Sequence, residues 1–130
     1  MNILYKKTKE LNLLELKELY LSVGWSSGNY PEKLQISIKN LHSVFSAWDE
    51  DKLVGLISCL SDGILIVYIN NLLVRPEYQG KGIGTKLVYM MLEEYKDFSK
   101  KLLIAENTAV GFYESLGFKA GNDVIPMKFH

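Results

Sequence analysis

The sequence holds one cysteine, one arginine, two histidines and three prolines in 130 residues, and several chemistries lack materials for that reason. Cys59 has no second cysteine to pair with, and a chain without a cysteine framework suits a reducing compartment, here expected to be the cytoplasm. His42 and His130 stand far apart, so with one cysteine they make no metal-ligand cluster, and no metal is expected. No apolar run reaches the roughly 18 residues that a membrane span requires. The opening Met-Asn-Ile-Leu-Tyr-Lys-Lys lacks the apolar core of a signal peptide. Neither sign of charge dominates: 15 basic and 15 acidic residues give a net charge of zero. Bulk attraction to nucleic acid or to an anionic membrane therefore has no source.

What remains is a globular composition, 48% apolar and 23% charged. Residues 1–130 carry no linker, repeat or low-complexity tract, and read as one domain long enough to bury a core. Ile3–Lys7 reads as a strand. Leu13, Leu14, Leu16, Leu19 and Tyr20 recur at helical spacing behind Asn12, a cap residue. A loop carrying Trp25 and Tyr30 follows, and Pro31 opens a second helix. Val44–Asp49 and Lys52–Leu60 read as a hairpin, and Ile64–Val74 as a long apolar strand interrupted by Asn70-Asn71. Gly82–Lys100 is an amphipathic helix, Leu102–Ala105 a short strand and Ala109–Leu116 a short helix ended by Gly117. Two final strands are expected, one from Phe118 and one over Val124–Phe129. The order β-α-α-β-β-β-α-β-α-β-β describes a mixed α/β domain.

The richest stretch is Leu72 to Gly84. An apolar strand runs through Arg75-Pro76 into three alternate glycines, Gly80, Gly82 and Gly84, and a helix starts there. Glycine lets backbone approach a ligand, and the first N–H groups of a helix lack internal partners at the positive end of its dipole. That combination makes an anion cradle suited to phosphates. The spacing G-x-x-x-x-G-K-[ST] is absent, and G-x-G-x-x-G fails because Thr85 stands where the third glycine would be. Gln79-Gly80-Lys81-Gly82-Ile83-Gly84 fits Q-x-x-G-x-G at every fixed position.

With that motif the chain resembles the GNAT superfamily of N-acetyltransferases, and among them small bacterial and plastid members described as arylalkylamine or lysine acetyltransferases. The resemblance runs over essentially the whole chain. It includes the strand Leu72-Leu73-Val74 with its exit Arg75-Pro76-Glu77-Tyr78, and the segment Ala109, Phe112-Tyr113-Glu114, Leu116-Gly117-Phe118. It implies an acyl-CoA N-acyltransferase fold in which the fourth and fifth strands splay and acetyl-CoA lies in the gap. Its pyrophosphate would sit on Gln79, Gly80, Lys81, Gly82, Ile83, Gly84 and Thr85. Its pantetheine arm would run along Leu72, Leu73 and Val74, near Asn107, Phe112 and Tyr113. Arg75, the one arginine, stands beside the cradle as a second phosphate contact. Homodimers through the C-terminal strands are also implied, with Val124–His130 as the contributing tail.

Acetyl transfer to an amine has three needs: a deprotonated amine, a polarised thioester carbonyl and a protonated leaving thiolate. The resemblance gives the second to the backbone N–H of Leu72, exposed by a β-bulge at Asn70-Asn71, with Asn71 as a further candidate. It gives the third to the phenol of Tyr113. Glu106, after the fifth strand, and Asp62, in the turn before the fourth, are carboxylates that can act as general base through water. Direct attack by a neutral amine stands beside them. Trp25 and Tyr30 are candidate walls of the acceptor pocket. The acceptor is a small-molecule amine or a lysine or N-terminal amine. The competing reading is a CoA-binding regulatory module without turnover.

Overall fold

A computed structural model of the chain describes residues 2–129, so that His130 lies outside the described residues. Five strands form a single sheet in the order β1-β2-β3-β4-β5: β1 Ile3–Lys7, β2 Ser43–Asp49, β3 Lys52–Ser61, β4 Ile66–Val74 and β5 Lys100–Leu103. The first four are antiparallel neighbours, and β4 pairs with β5 in parallel. Helices α1 (Leu13–Ser22), α2 (Pro31–Lys39), α3 (Ile83–Glu94) and α4 (Val110–Ser115) complete the chain.

Both faces of the sheet are covered, which explains why β3 and much of β4 read as almost continuous apolar runs. On one face α3 lays Ile83, Leu87, Val88 and Met91 against Val54, Ile57, Val67 and Ile69. On the other, Leu16, Leu19 and Tyr20 of α1 and Leu34 and Ile38 of α2 pack on Val44, Leu53, Leu56 and Leu73. Each such fully buried leucine or isoleucine contributes roughly 1.5–3 kcal/mol. Asn12 caps α1 as expected, its Oδ1 accepting the N–H of Leu14 at 2.9 Å and of Glu15 at 3.0 Å. Leu14 itself is exposed, outside the stripe its spacing suggested.

Four expectations are corrected. The short strand expected over Leu102–Ala105 runs over Lys100–Leu103 instead. The helix after the glycines ends at Glu94 rather than Lys100, because Tyr95 closes its last turn and the chain bends back to deliver Lys100 into β5. The long strand starts at Ile66, after a turn through residues 62–65 tied by Asp62. The two final strands do not form: residues 118–129 are irregular, and Val124, Ile125, Met127 and Phe129 are exposed. Alternating apolar residues suit a strand, but the sheet ends at β5 and offers this segment no ladder partner among the described residues.

Candidate active site

Pairing between β4 and β5 runs from Ile66↔Lys100 to Ile69↔Leu103 and stops there. Beyond Ile69, β4 bends away. On its other side the register with β3 shifts between Ser58 and Cys59, so Asn71 opposes Ser58, Ile69 opposes Cys59, and Asn70 is an extra residue. This is a β-bulge, and it changes which side chains face which way. Ile69 and Leu72 pack in the same core although they are three residues apart. In a regular strand they would face opposite sides. Asn70 and Asn71 therefore share one face. Both reach the same hydroxyl: Asn71 Nδ2 donates to Ser58 Oγ at 2.9 Å, and Ser58 Oγ donates to Asn70 Oδ1 at 3.0 Å.

The splay opens a cleft of about 860 Å³. Leu72, Leu73 and Val74 line one wall, and Leu103, Ala105 and Thr108 the other. At one end lies the glycine turn. Gly80 and Gly82 hold φ of 75° and 85°, a region that side-chain-bearing residues enter only at a cost of roughly 1–2 kcal/mol. Gly84 has ordinary backbone, and a Cβ there would come 3.6 Å from Phe112 Cζ. The N-terminus of α3 receives no side-chain cap, whereas α1 receives Asn12. Its first N–H groups are left to a ligand, so the turn fits a pyrophosphate. Gln79 serves the turn itself: its Nε2 donates to the Val74 carbonyl at 2.9 Å. Tyr78 braces the same turn by donating from its hydroxyl to Asp49 Oδ2 at 2.5 Å, a bond that raises the phenol's proton affinity.

Further along the cleft stands Tyr113, at an edge-to-face angle to both Phe112 and Phe118. Burial pushes its phenol above the usual tyrosine value, so the hydroxyl stays a proton donor at neutral pH. Trp25, Val23 and Tyr68 also line the cleft, and Glu106 is the one charged side chain among its described lining residues.

The sequence-derived candidates divide accordingly. Leu72, Leu73, Val74, Asn71, Gln79, Gly80, Gly82, Ile83, Gly84, Thr85, Glu106, Phe112, Tyr113 and Trp25 meet in one cleft. Lys81 and Asn107 flank it without lining it, since their neighbours on either side take that position. Tyr30 lies outside it, 61% exposed, its ring 5.8 Å from Lys33 Nζ. Asp62 is also outside: its Oδ1 accepts the N–H groups of Ile64, Leu65 and Ile66, which lowers its proton affinity and makes it a poor base. Arg75 turns away from the cradle into α1, where Nη2 sits 3.3 Å from Glu15 and Nε donates to the Leu53 carbonyl at 2.7 Å. Among the described residues, no group of three or more His, Cys, Asp or Glu stands ready for a metal. No helix among them is long and apolar enough to cross a membrane. Sequence reasoning missed Tyr68, Thr108 and Ser58. Ser58 alone gave a signal, as a hydroxyl inside the apolar run Leu56-Ile57-Ser58-Cys59-Leu60.

Comparison with known proteins agrees with this geometry. Residues 11–118 match the model of the acetyltransferase (GNAT) family. The N-acetyltransferase ycf52 of Pyropia yezoensis, itself uncharacterized, is 31% identical over 90% of this chain and 70% of its own. GCN5-related N-acetyltransferase 2, chloroplastic, of Arabidopsis thaliana is 32% identical over 98% of this chain and 57% of its own. A solved GNAT-family acetyltransferase of Streptococcus pneumoniae TIGR4 superposes with a TM-score of 0.80 at 32% identity, over 98% of this chain and 100% of that one.

Proposed function

The chain belongs to the GNAT family of acetyltransferases, and from that premise we propose that it moves the acetyl group of acetyl-CoA to a primary amine by direct attack within a ternary complex. The observation that carries the reading is the cleft at the β4–β5 splay, lined by an uncapped helix start and left-handed glycines together with Tyr113 and Glu106. The backbone of residues 79–85 would hold the pyrophosphate, and β4 beyond the bulge would lie along the pantetheine arm. Lys81 adds charge beside the cradle.

An alkylamine with a pKa near 10 is only about 0.1% neutral at pH 7, so its proton must be taken. Glu106 supports an amine acceptor in two ways. Its carboxylate draws an ammonium into a cleft whose other described lining residues are uncharged, and it then accepts the proton directly or through water. As the C–N bond forms, the Leu72 N–H faces the charge developing on the carbonyl oxygen. As the C–S bond breaks, the Tyr113 hydroxyl passes its proton to the departing sulfur and is refilled from solvent. Trp25 and Tyr68 would bound the acceptor. The chain spans only part of these relatives' length. The proposed compartment is the cytoplasm; the relative from Arabidopsis thaliana is named as chloroplastic, which makes a plastid the second candidate.

A thiol-release assay over a panel of small amines, lysine peptides and N-terminal peptides tests the reading. Release of CoA with at least one acceptor is the expected result. Binding of acetyl-CoA without release by any of them would instead establish a CoA-binding module.

A further inference from the structure

Ser58 is fully buried, 0% exposed, in the middle of β3, and nothing in the reaction described above touches it. Its surroundings are nonetheless those of the reacting centre. Its hydroxyl lies between the two asparagines of the bulge, accepting from Asn71 and donating to Asn70. A hydroxyl is the one small side-chain group that can do both at once. Two consecutive strand residues reach a single partner only when a bulge turns them to the same face, so the hydroxyl can be satisfied in this way at one register alone. We propose that Ser58 is a positioning residue for acetyl transfer: it pins the bulge at Asn70 and so aims the Leu72 N–H into the cleft.

The physical argument rests on what a one-residue migration of the bulge would change. Moved from 70–71 to 71–72, it leaves Leu72, Leu73 and Val74 on their present faces, so both cores keep those contacts. It re-aims the Leu72 peptide and turns the Asn71 amide to the apolar face of Ile69 and Leu72. The apolar contacts are thus alike in the two registers, and the polar groups discriminate: the bond set at Ser58 and the cost of setting the Asn71 amide against an apolar core. Breaking that bond set also leaves two amides short of a partner in a half-buried place, which is costly. The proposal rests on the acetyl-transfer reading, since it is the Leu72 N–H that gives the bulge a chemical role.

The test compares Ser58→Thr, which keeps the hydroxyl, with Ser58→Val, which has the same shape without it. Ser58→Ala is the third variant. Ser58→Thr is expected to keep at least half of wild-type kcat. Ser58→Val and Ser58→Ala are expected to lose at least tenfold in kcat, with the calorimetric Kd for acetyl-CoA within about threefold of wild type, because the pyrophosphate cradle is untouched. Amide hydrogen exchange at residues 70–72 should quicken at least tenfold in the same two variants and not in Ser58→Thr, a readout available without turnover. Equal kcat and equal exchange in the Thr and Val variants would overturn the assignment while leaving acetyl transfer in place. Wild-type protein that releases no CoA thiol with any amine would remove both.

Discussion

Arg75 and Glu15, sixty positions apart in the chain, share one half-buried junction: the guanidinium Nη2 lies 3.3 Å from Glu15 Oε1, and that same oxygen accepts the Leu53 N–H at 2.8 Å. The arginine is only 6% exposed, and its Nε bonds the Leu53 carbonyl. A planar fork is what lets one side chain join α1 to β3 in this way. Arg75→Met leaves Glu15 facing the sheet with its charge unpaired, and should destabilise the fold by about 3 kcal/mol in urea unfolding. Calorimetry on the folded variant should find the affinity for acetyl-CoA unchanged. A loss of affinity with stability intact would return Arg75 to the phosphate site.

The three glycines of the cradle should separate under alanine substitution. Gly80→Ala and Gly82→Ala must each hold a methyl group in left-handed backbone, and each should cost about 1–2 kcal/mol. Gly84→Ala sits in the first turn of α3 with room for its methyl beside Phe112, so the free protein should be no less stable than wild type. Its defect should appear only as weaker acetyl-CoA binding. Thermal unfolding with and without acetyl-CoA reads both quantities in one experiment.

Asp62 and Glu106 should part company. Glu106→Gln is expected to lower kcat/KM for a cationic amine at least tenfold and to leave stability alone. Asp62→Asn should leave turnover unchanged and destabilise the protein. Three backbone N–H bonds hold the Asp62 carboxyl below its usual value in the folded state. Its stabilising effect is then fully present above the unfolded value near 4 and is lost as pH falls through the lower folded one. The stability gap between wild type and Asp62→Asn should accordingly be flat at pH 5–8 and should close on acidification below about pH 4.

Tyr113→Phe should bind acetyl-CoA as tightly as wild type and turn over at least tenfold more slowly. Because burial raises the phenol's pKa above its ordinary value near 10, the wild-type kcat profile should show no alkaline fall from Tyr113 below about pH 10. A Tyr113→Phe enzyme with unchanged kcat would take the residue out of the mechanism.

The parts of this site that were legible in the sequence are those where backbone geometry narrows the choice of residue. Left-handed φ at Gly80 and Gly82 calls for glycine, so the cradle announced itself. Asn70-Asn71 marked the bulge because two amides have no reason to interrupt an apolar strand unless the pleat breaks. Illegible were the features settled by distant partners. Nothing near Arg75 in the chain says that its guanidinium will find Glu15 and not a phosphate. Asp62 read as a free carboxylate because its three donors come from a turn whose shape appears only in the fold. The expected terminal strands had the right residues, but among the described residues the sheet ends at β5 and does not extend to them.

The four-residue junction between β4 and β5 has a kinetic meaning as well as a geometric one. Strands β1 to β4 meet through antiparallel ladders of five or seven residue pairs, while the parallel β4–β5 ladder holds four. The shortest ladder, at the end of the sheet, is where local opening begins. The seam proposed to admit the donor is then also the seam along which the sheet would first come apart. A molecule bound along it would act as the missing length of strand, so donor occupancy and the integrity of the C-terminal third would rise and fall together.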